Sequence, residues 1–564
     1  MEKRNHSSSA TEPADACGDW ASIRHAVTRA VPASGINMAH AAVTRHAGGP
    51  LADRPALCWL PEKGAPRVLT YGTLERLTNR VANGLVALGL RPGQVVASLC
   101  ERTPELYITA LAALKAGGVF CALYATYGPE PVRYRLAASG TAILLTTSRQ
   151  YAKIQDLRPQ LPDLTHVLVI DTPLPPAAGI TAFQSLMQHP RSDFTIVPTD
   201  PETPALIHFS SGTTGMPKGV VHVHAATLHH ILTARTVLDL TPGDIYWCTA
   251  DPGWVTGVVY GFLAPLMAGA TAIVDGAEFD AARWLAILSD RRVNVWYTSP
   301  SALRRLMALP VTAIKTGDLS ALRLAFSVGE PLHAAVVEWS RTALGTPIRD
   351  TWWQTETGGI IIAAHPHTPV RPGVMGRPVT GIRAAVLRPA GTPGGGRDVC
   401  AAGEIGELAL AAGWPSMFRR LLGDTDAYAK RFCGEWYLSG DLVRREDDGS
   451  FRFVGRADDM IKTAGHLVSP FEVEAVLLAH PDVSDAAVVG TPDPHLGQRV
   501  TAHLCLRTGA VPDEALRRRI MVHARQRLGP ALAPRRIVFT GSMPRNPAGK
   551  IVRRQLIDAA GPDS

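Results

Sequence analysis

The chain is predicted to fold as an α/β protein. A large N-terminal domain of helix-flanked, mostly parallel sheets with a small β unit precedes a small mobile α+β C-terminal domain. Three observations predict this. At 564 residues the chain is too long for a single core. From Thr70 onward, segments of helical period alternate with short apolar runs, as in parallel sheets crossed by helices. Finally, the composition shifts at Gly455-Arg456-Ala457-Asp458-Asp459, and the roughly 105 residues beyond are enough for an independent small domain.

The elements follow in order. Residues 1–35, including MEKRNHSSSATEPADACGDW, lack an apolar core and read as a disordered lead-in rather than a secretory signal. Leu74, Leu77, Val81, Leu85 and Leu88 recur at three- and four-residue steps, giving a helix stopped at Gly89. Val95–Cys100 reads as a buried strand, 105–116 as a helix and Val119–Leu123 as the next strand. The alternation continues through 142–146 and 166–170. A glycine-rich stretch, SSGTTGMPKGV (210–220), follows the apolar run Ala205-Leu206-Ile207 and precedes a helix-like segment expected near His222.

Between Asp251 and Asp275 there is no charge, and Gly257-xxx-Gly261 imitates a membrane helix-packing motif. Four glycines and two prolines in that span favour a buried helix ending near Gly269 and a strand over 271–274. Pro389–Gly403 is Gly- and Pro-rich and reads as an exposed connection, after which 407–411 and 452–454 are strands of a small antiparallel unit. The C-terminal segment reads as a helix from Pro470 to His480, strands at 486–489 and around Val500, Ala502 and Leu504, a helix over 513–528, and a strand at 537–539.

Composition bounds the function. Hydrophobic residues at 46% and charged residues at 19% describe a globular protein. A net charge of +8 favours anionic partners such as nucleotides or coenzyme A. No Lys/Arg run with interleaved aromatics argues for nucleic acid, and no segment argues for membrane insertion. The eight cysteines are dispersed, without CxxC or zinc spacing, as suits reduced thiols in a cytoplasm. In the 210–220 stretch, Gly212, Gly215 and Gly219 free the backbone so that successive N–H groups can face one anion. Ser210, Ser211, Thr213 and Thr214 add hydroxyl donors and Lys218 a compact charge, a combination suited to polyphosphate. It is not a Walker A loop, because Gly219, not Ser or Thr, follows the lysine.

Taken together, SSGTTGMPKGV, SVGEP (327–331), TWWQTETGG (351–359), YLSGD (437–441), GRADD (455–459) and PRNPAGK (544–550) resemble the acyl- and aryl-adenylate-forming enzymes. That superfamily includes acyl-CoA synthetases, luciferases and peptide-synthetase adenylation domains. Within it, DPGWVTG (251–257) and DTWWQTETGG (350–359) look most like AMP-forming acetyl-CoA synthetase.

The resemblance implies a two-step reaction using ATP, Mg²⁺ and coenzyme A: a carboxylate attacks the α-phosphorus, and the coenzyme A thiol then displaces AMP. The 210–219 loop would hold the β- and γ-phosphates, Glu356 would ligate Mg²⁺, and Thr355 would contact the α-phosphate. Gly329, Glu330 and Pro331 would lie along the adenine, with Asp350, Thr351, Trp352 and Gln354 also on the nucleotide. Asp441 would accept hydrogen bonds from the ribose, and Arg456 would sit near ribose and phosphates. Lys550 would be the catalytic lysine, bridging carboxylate and α-phosphate. Its silencing by a lysine acetyltransferase, reversed by a deacetylase, is a further implication.

Asp458 matches the hinge, dividing 36–457 from 458–564. Gly465 would line the pantetheine tunnel, and Arg525 would contact a coenzyme A phosphate. Trp254, Val255, Thr256, Val328 and Trp353 match the acyl pocket, with the Trp353 indole as a floor that excludes larger acids. Acetate is therefore the first expected substrate and propionate the second. One departure stands out: after Gly465 the sequence reads HLV, placing Leu467 where acetyl-CoA synthetases carry a phosphate-binding arginine. That departure leaves room for another small acid, delivery to a separate carrier protein, or a catalytically weakened homologue with a binding role.

Overall fold

The computed structural model describes Trp20 and residues 35–171, 179–210, 217–314, 317–388, 398–463, 466–493, 495–547 and 549–559. Apart from Trp20 and Gly35, the expected lead-in lies outside these residues.

Among the described residues the strands form four sheets. The first carries six parallel strands in spatial order Ile348–Trp352, Leu324–Ser327, Val295–Thr298, Ile245–Cys248, Thr271–Asp275 and Pro55–Leu60. The antiparallel strands Ile362–Ala363, Arg377–Pro378 and Arg67–Thr70 extend its two edges. The second has a parallel set running Pro204–Ser210, Val119–Leu123, Val95–Leu99, Thr141–Thr146, His166–Val169, Ile180–Ala182. Such strands are buried on both faces, which is why Val119–Leu123 reads as an unbroken apolar run and Val95–Leu99 as one interrupted only by Ser98.

Between the two sheets lies the largest core, to which Leu57, Tyr246 and Tyr297 come from one sheet and Val96, Phe120 and Leu206 from the other. Helices Tyr71–Ala87 and Pro104–Lys115 pack into it. The first is capped by the Thr70 side chain at the N–H of Thr73 and buries Leu74, Val81 and Leu85, the stripe expected from sequence. The uncharged 251–275 segment is also helical and buried over Val255–Ala268, ends at Gly269 in the left-handed conformation, and continues into the strand Thr271–Asp275.

One expectation is corrected. His222 belongs to a strand, Lys218–Val223, that returns antiparallel beside Pro204–Ser210; the helix begins only at Ala226. The two strands pair on either side of residues 211–216, which lie outside the described residues, and the β-branched run Val220, Val221, Val223 favours the second strand.

The third sheet, mostly antiparallel, holds Ala384–Leu387, Ile405–Ala411, Trp436–Arg445 and Phe451–Arg456. The fourth lies wholly beyond residue 460. Val483–Asp493 and Gly497–Leu506 form its long hairpin, Arg536–Phe539 adds in parallel, and helices Pro470–Leu478 and Glu514–Leu532 cover its core.

Candidate active site

In an open parallel sheet, ligands bind beyond the carboxyl ends of the strands. Four adjacent strands of the first sheet end in the segments singled out by sequence: Ile348–Trp352 leads to Trp353-Gln354-Thr355-Glu356, Leu324–Ser327 to Val328-Gly329-Glu330-Pro331, Val295–Thr298 to Ser299-Pro300-Ser301, and Ile245–Cys248 to the 251–256 turn. Topology thus gathers at one rim residues more than a hundred positions apart.

The expected acyl wall is built like a core. Trp353 and Val328 are buried, as are Val255 and Thr256, whose hydroxyl has no partner among the described residues. The Trp353 Nε1–H donates to the Tyr297 hydroxyl at 3.0 Å; Tyr297 lies 2.7 Å from Thr351 Oγ1, which donates to the Ser327 carbonyl at 2.7 Å. Because Thr351 spends its proton on Ser327, Tyr297 must donate to Thr351. The relay therefore runs in one direction and fixes the indole in place. Tyr260 meets the Trp353 ring edge-on at 5.2 Å and is itself held by the Ile360 N–H at 2.9 Å.

The expected ribose site centres on Asp441, buried in the strand Trp436–Arg445. Its carboxylate accepts from Trp352 Nε1 at 2.8 Å and Gln354 Nε2 at 3.2 Å, and pairs with Arg456 at 2.8 Å. Burial raises its pKa, with Arg456 and Trp352 opposing. Asp350, at the same rim, is pushed up by burial to about 7. Gly329 has φ +92°, and a Cβ there would lie 2.4 Å from the Trp254 ring, so only glycine lets this indole sit against the backbone. Pro331 follows on the same turn, half-buried.

Glu356 lies in a turn whose backbone is held from several sides. Phe418 N–H donates to the Glu356 carbonyl at 2.9 Å, Trp414 Nε1 and Ser416 Oγ reach the Thr357 carbonyl at 2.9 and 2.7 Å, and His230 Nε2 reaches the Gly358 carbonyl at 2.8 Å. Thr355 occupies the same turn, its carbonyl accepting from Gly358 N–H. Among the described residues the Glu356 carboxylate itself has only Arg431, at 3.8 Å. Among the described residues no group of three or more His, Cys, Asp or Glu could hold a metal ion. One available carboxylate fits Mg²⁺, which commonly takes one or two protein carboxylates and fills its shell with water and phosphate oxygens.

Lys550 comes from the far end of the chain. It reaches water along the cleft between the large and small domains, yet surrounding protein desolvates it and lowers its pKa, with Glu330 and Asp441 opposing. Its Nζ stands 5.8 Å from the Trp254 ring centroid, within cation–π range. The structure thus brings Lys550, Trp254, Gly329, Asp441 and Arg456 to one cleft.

Other expected residues lie elsewhere or outside the described set. Ser210 and Lys218 face each other across the hairpin, Lys218 pairing with Asp424 at 2.7 Å. Ser211, Gly212, Thr213, Thr214, Gly215 and Gly465 lie outside the described residues. Asp458 is exposed in the turn between the third and fourth sheets and bonds Arg456 at 3.1 Å. Arg525 is exposed on the helix Glu514–Leu532, and Leu467 pairs through its backbone with Lys462.

Sequence reasoning missed Tyr297, Ser301, Arg304 and a group of buried histidines. His208, His222, His224, His229 and His230 are all 2% exposed or less, so each must be accommodated as a neutral ring. A signal was present: HVHAATLHH falls in a stretch with no charge between Lys218 and Arg235.

The comparisons agree with this geometry. The AMP-binding enzyme family model matches residues 43–420, and the AMP-binding enzyme C-terminal domain model matches 472–550. An acetyl-coenzyme A synthetase of Bacillus subtilis is 37% identical over 92% of this chain and 90% of its own length. The solved anthranilate CoA ligase AuaEII, in complex with anthranoyl-AMP, aligns with a TM-score of 0.86 at 28% identity, over 95% of this chain and 98% of that one. A Brucella canis acyl-CoA synthetase aligns with a TM-score of 0.74 at 31% identity, over 95% and 97%. The chain belongs to the AMP-binding enzyme family. It is an AMP-forming acid–coenzyme A ligase, of a kind that uses ATP, Mg²⁺ and coenzyme A.

Proposed function

We propose that the chain activates a short-chain acid, acetate first and propionate second, to its coenzyme A thioester. The observation that carries this reading is the Trp353 indole, buried and tied through its Nε1 to Tyr297. Burying or losing a methylene is worth only ~1–3 kcal/mol, so an apolar pocket discriminates poorly by affinity. A fixed indole discriminates by exclusion instead.

In the first half-reaction a carboxylate oxygen bonds to the α-phosphorus of ATP as the α–β bridging P–O bond breaks, and pyrophosphate leaves. In the second, the coenzyme A sulfur bonds to the acyl carbon as the acyl–phosphate bond breaks, and AMP leaves. Lys550 offsets the repulsion between two anions during the first attack. Asp441 receives the ribose hydroxyls, Gly329 to Pro331 border the base, and Arg456 lies beside the phosphates. Glu356 would hold Mg²⁺, which when bound neutralises phosphate charge. The proposed hinge is Asp458, dividing 36–457 from 458–564, so that rotation withdraws Lys550 before thioester formation. A lysine acetyltransferase acting on Lys550 would remove its charge and silence the first step; mass spectrometry of the purified protein from acetate-grown cells is expected to find that acetylation.

The test is acid-dependent pyrophosphate release over C2 to C8 acids, with and without coenzyme A. Release with acetate or propionate, and thioester when coenzyme A is added, is the expected result. Release only with larger acids would discard the Trp353 assignment. Thioester formation confined to an added carrier protein would favour the carrier reading.

A further inference from the structure

A closed set of four opposite charges spans the two domains beside Lys550. Arg304 and Glu330 belong to the large domain and pair at 2.8 Å; Arg545 and Asp485 belong to the small domain and also pair. Arg304 Nε additionally stands 3.4 Å from Asp485. At the centre is the buried hydroxyl of Ser301. It accepts from Arg304 at 2.9 Å and from Arg545 at 2.5 Å, and donates to Glu330. The same hydroxyl also stands 3.3 Å from the Gly549 carbonyl and shares its one proton with it, so two of its four contacts lie within the large domain and two cross the cleft.

The same Arg545 Nη1 donates to the Gly549 carbonyl at 2.6 Å, the peptide immediately before Lys550. Within the small domain the turn is already closed on itself. Lys550 N–H donates to Asn546 Oδ1 at 3.0 Å, Asn546 N–H donates to the Lys550 carbonyl at 2.9 Å, and Gly549 takes φ +82°. What those local bonds do not set is where the turn stands relative to the large domain. Arg545 does, through Ser301 directly and through Asp485, which in turn meets Arg304 of the large domain.

We propose that Arg545 is a positioning residue for adenylation: docked on Ser301 and the Glu330–Arg304 pair, it fixes the Gly549–Lys550 peptide so that the ammonium faces the nucleotide cleft. Glu330 lies on the turn proposed to border the adenine, so one carboxylate links the nucleotide site to the docked small domain. The set must come apart when the small domain rotates, and Arg545 therefore acts on the first half-reaction alone. This inference rests on the assignment of Lys550 as the catalytic lysine.

The test compares Arg545→Ala, Arg545→Lys, Ser301→Ala and Lys550→Ala in two assays of the full chain. One is pyrophosphate release with the best acid of the C2–C8 series; the other is thioester formation from the corresponding preformed acyl-adenylate and coenzyme A. A misplacement of about 1 Å costs on the order of 10²-fold, so Arg545→Ala should lose about that in the first assay, through kcat rather than the KM for ATP, and stay within about twofold in the second. Arg545→Lys should recover part of the loss, since an ammonium can satisfy one acceptor but not the fork. Ser301→Ala, made in the large domain, should show the same one-sided loss and serves if the arginine variant does not fold. Equal losses in both assays, or none, would overturn the proposal. If Lys550→Ala itself retains pyrophosphate release, the underlying assignment fails; if it loses release while Arg545→Ala and Ser301→Ala keep it, only this inference fails.

Discussion

The two sides of the cleft are made of different materials. On the expected acyl side, Trp353, Tyr297, Tyr260 and Val328 are buried in the main core, and a one-way hydrogen-bond relay runs from Trp353 through Tyr297 and Thr351 to Ser327. On the small-domain side, the charges that meet across the cleft are partly exposed ion pairs, Arg304 with Asp485 and Arg545 with Glu330, side chains between 11 and 23% exposed. Close-packed aromatic cores resist deformation. Ion pairs that water can reach form and break at small net cost. On the proposed reading, substrate choice falls to the part that cannot move, and the chemical step to a part that can come and go.

The largest expected break in this comparison is Lys550→Ala. Removing one preorganised charge from a transition state costs about 10²–10³-fold in rate. Pyrophosphate release should fall by that factor while the chain-length profile of whatever activity remains is unchanged; a shifted profile would show the two sides are not separate. Trp353→Gly is the mirror experiment. It should move preference toward acids of four or more carbons, by the ~1–3 kcal/mol per methylene that an apolar pocket can supply, without losing the first half-reaction.

A third expectation concerns acid. Burial depresses His222, His224 and His230 to about 4 and His229 to about 3, from an ordinary 6.5. Unfolding lets each ring take up a proton below pH 6.5, so their neutral burial is fully tolerated above 6.5 and penalised progressively as pH falls toward 4. Each contributes about 1 kcal/mol of lost stability per pH unit in that window. Urea unfolding at pH 7.5 and 5.5 should show the loss, and His224→Gln should flatten it. The smallest effect is expected at Thr256. Its buried hydroxyl lacks a partner among the described residues, so Thr256→Val should change stability by less than about 1 kcal/mol and leave acetate turnover intact. A sharp drop in turnover would instead show that the hydroxyl meets the substrate.

Much of this was legible in the sequence, and the reasons differ by region. Elements with a strong period or an unbroken apolar run, such as Tyr71–Ala87 and Val119–Leu123, fell where expected because burial on defined faces dictates them. The helix placed at His222 did not, since hairpin pairing with Pro204–Ser210 outweighs local pattern there. The expected residues at the rim of the first sheet were visible because SVGEP and TWWQTETGG are short strings at strand ends. The Ser301 node was not: its partners lie 29 and 244 positions away, and a lone serine after a proline carries no local mark. Tyr297 was hidden for the same reason, its hydroxyl being matched to Thr351 only by the sheet.

That Trp353, the proposed floor of the acyl pocket, is also a beam of the main core has a consequence for how such a ligase can diversify. Deleting a buried large aromatic side chain typically costs about 3–5 kcal/mol, a sizeable part of the stability of a typical domain. A lineage that widened this pocket at Trp353 would first need surplus stability elsewhere, or a larger acid that fills the void and restores the fold as it binds. In such a descendant the new substrate would act as a folding ligand as well as a reactant.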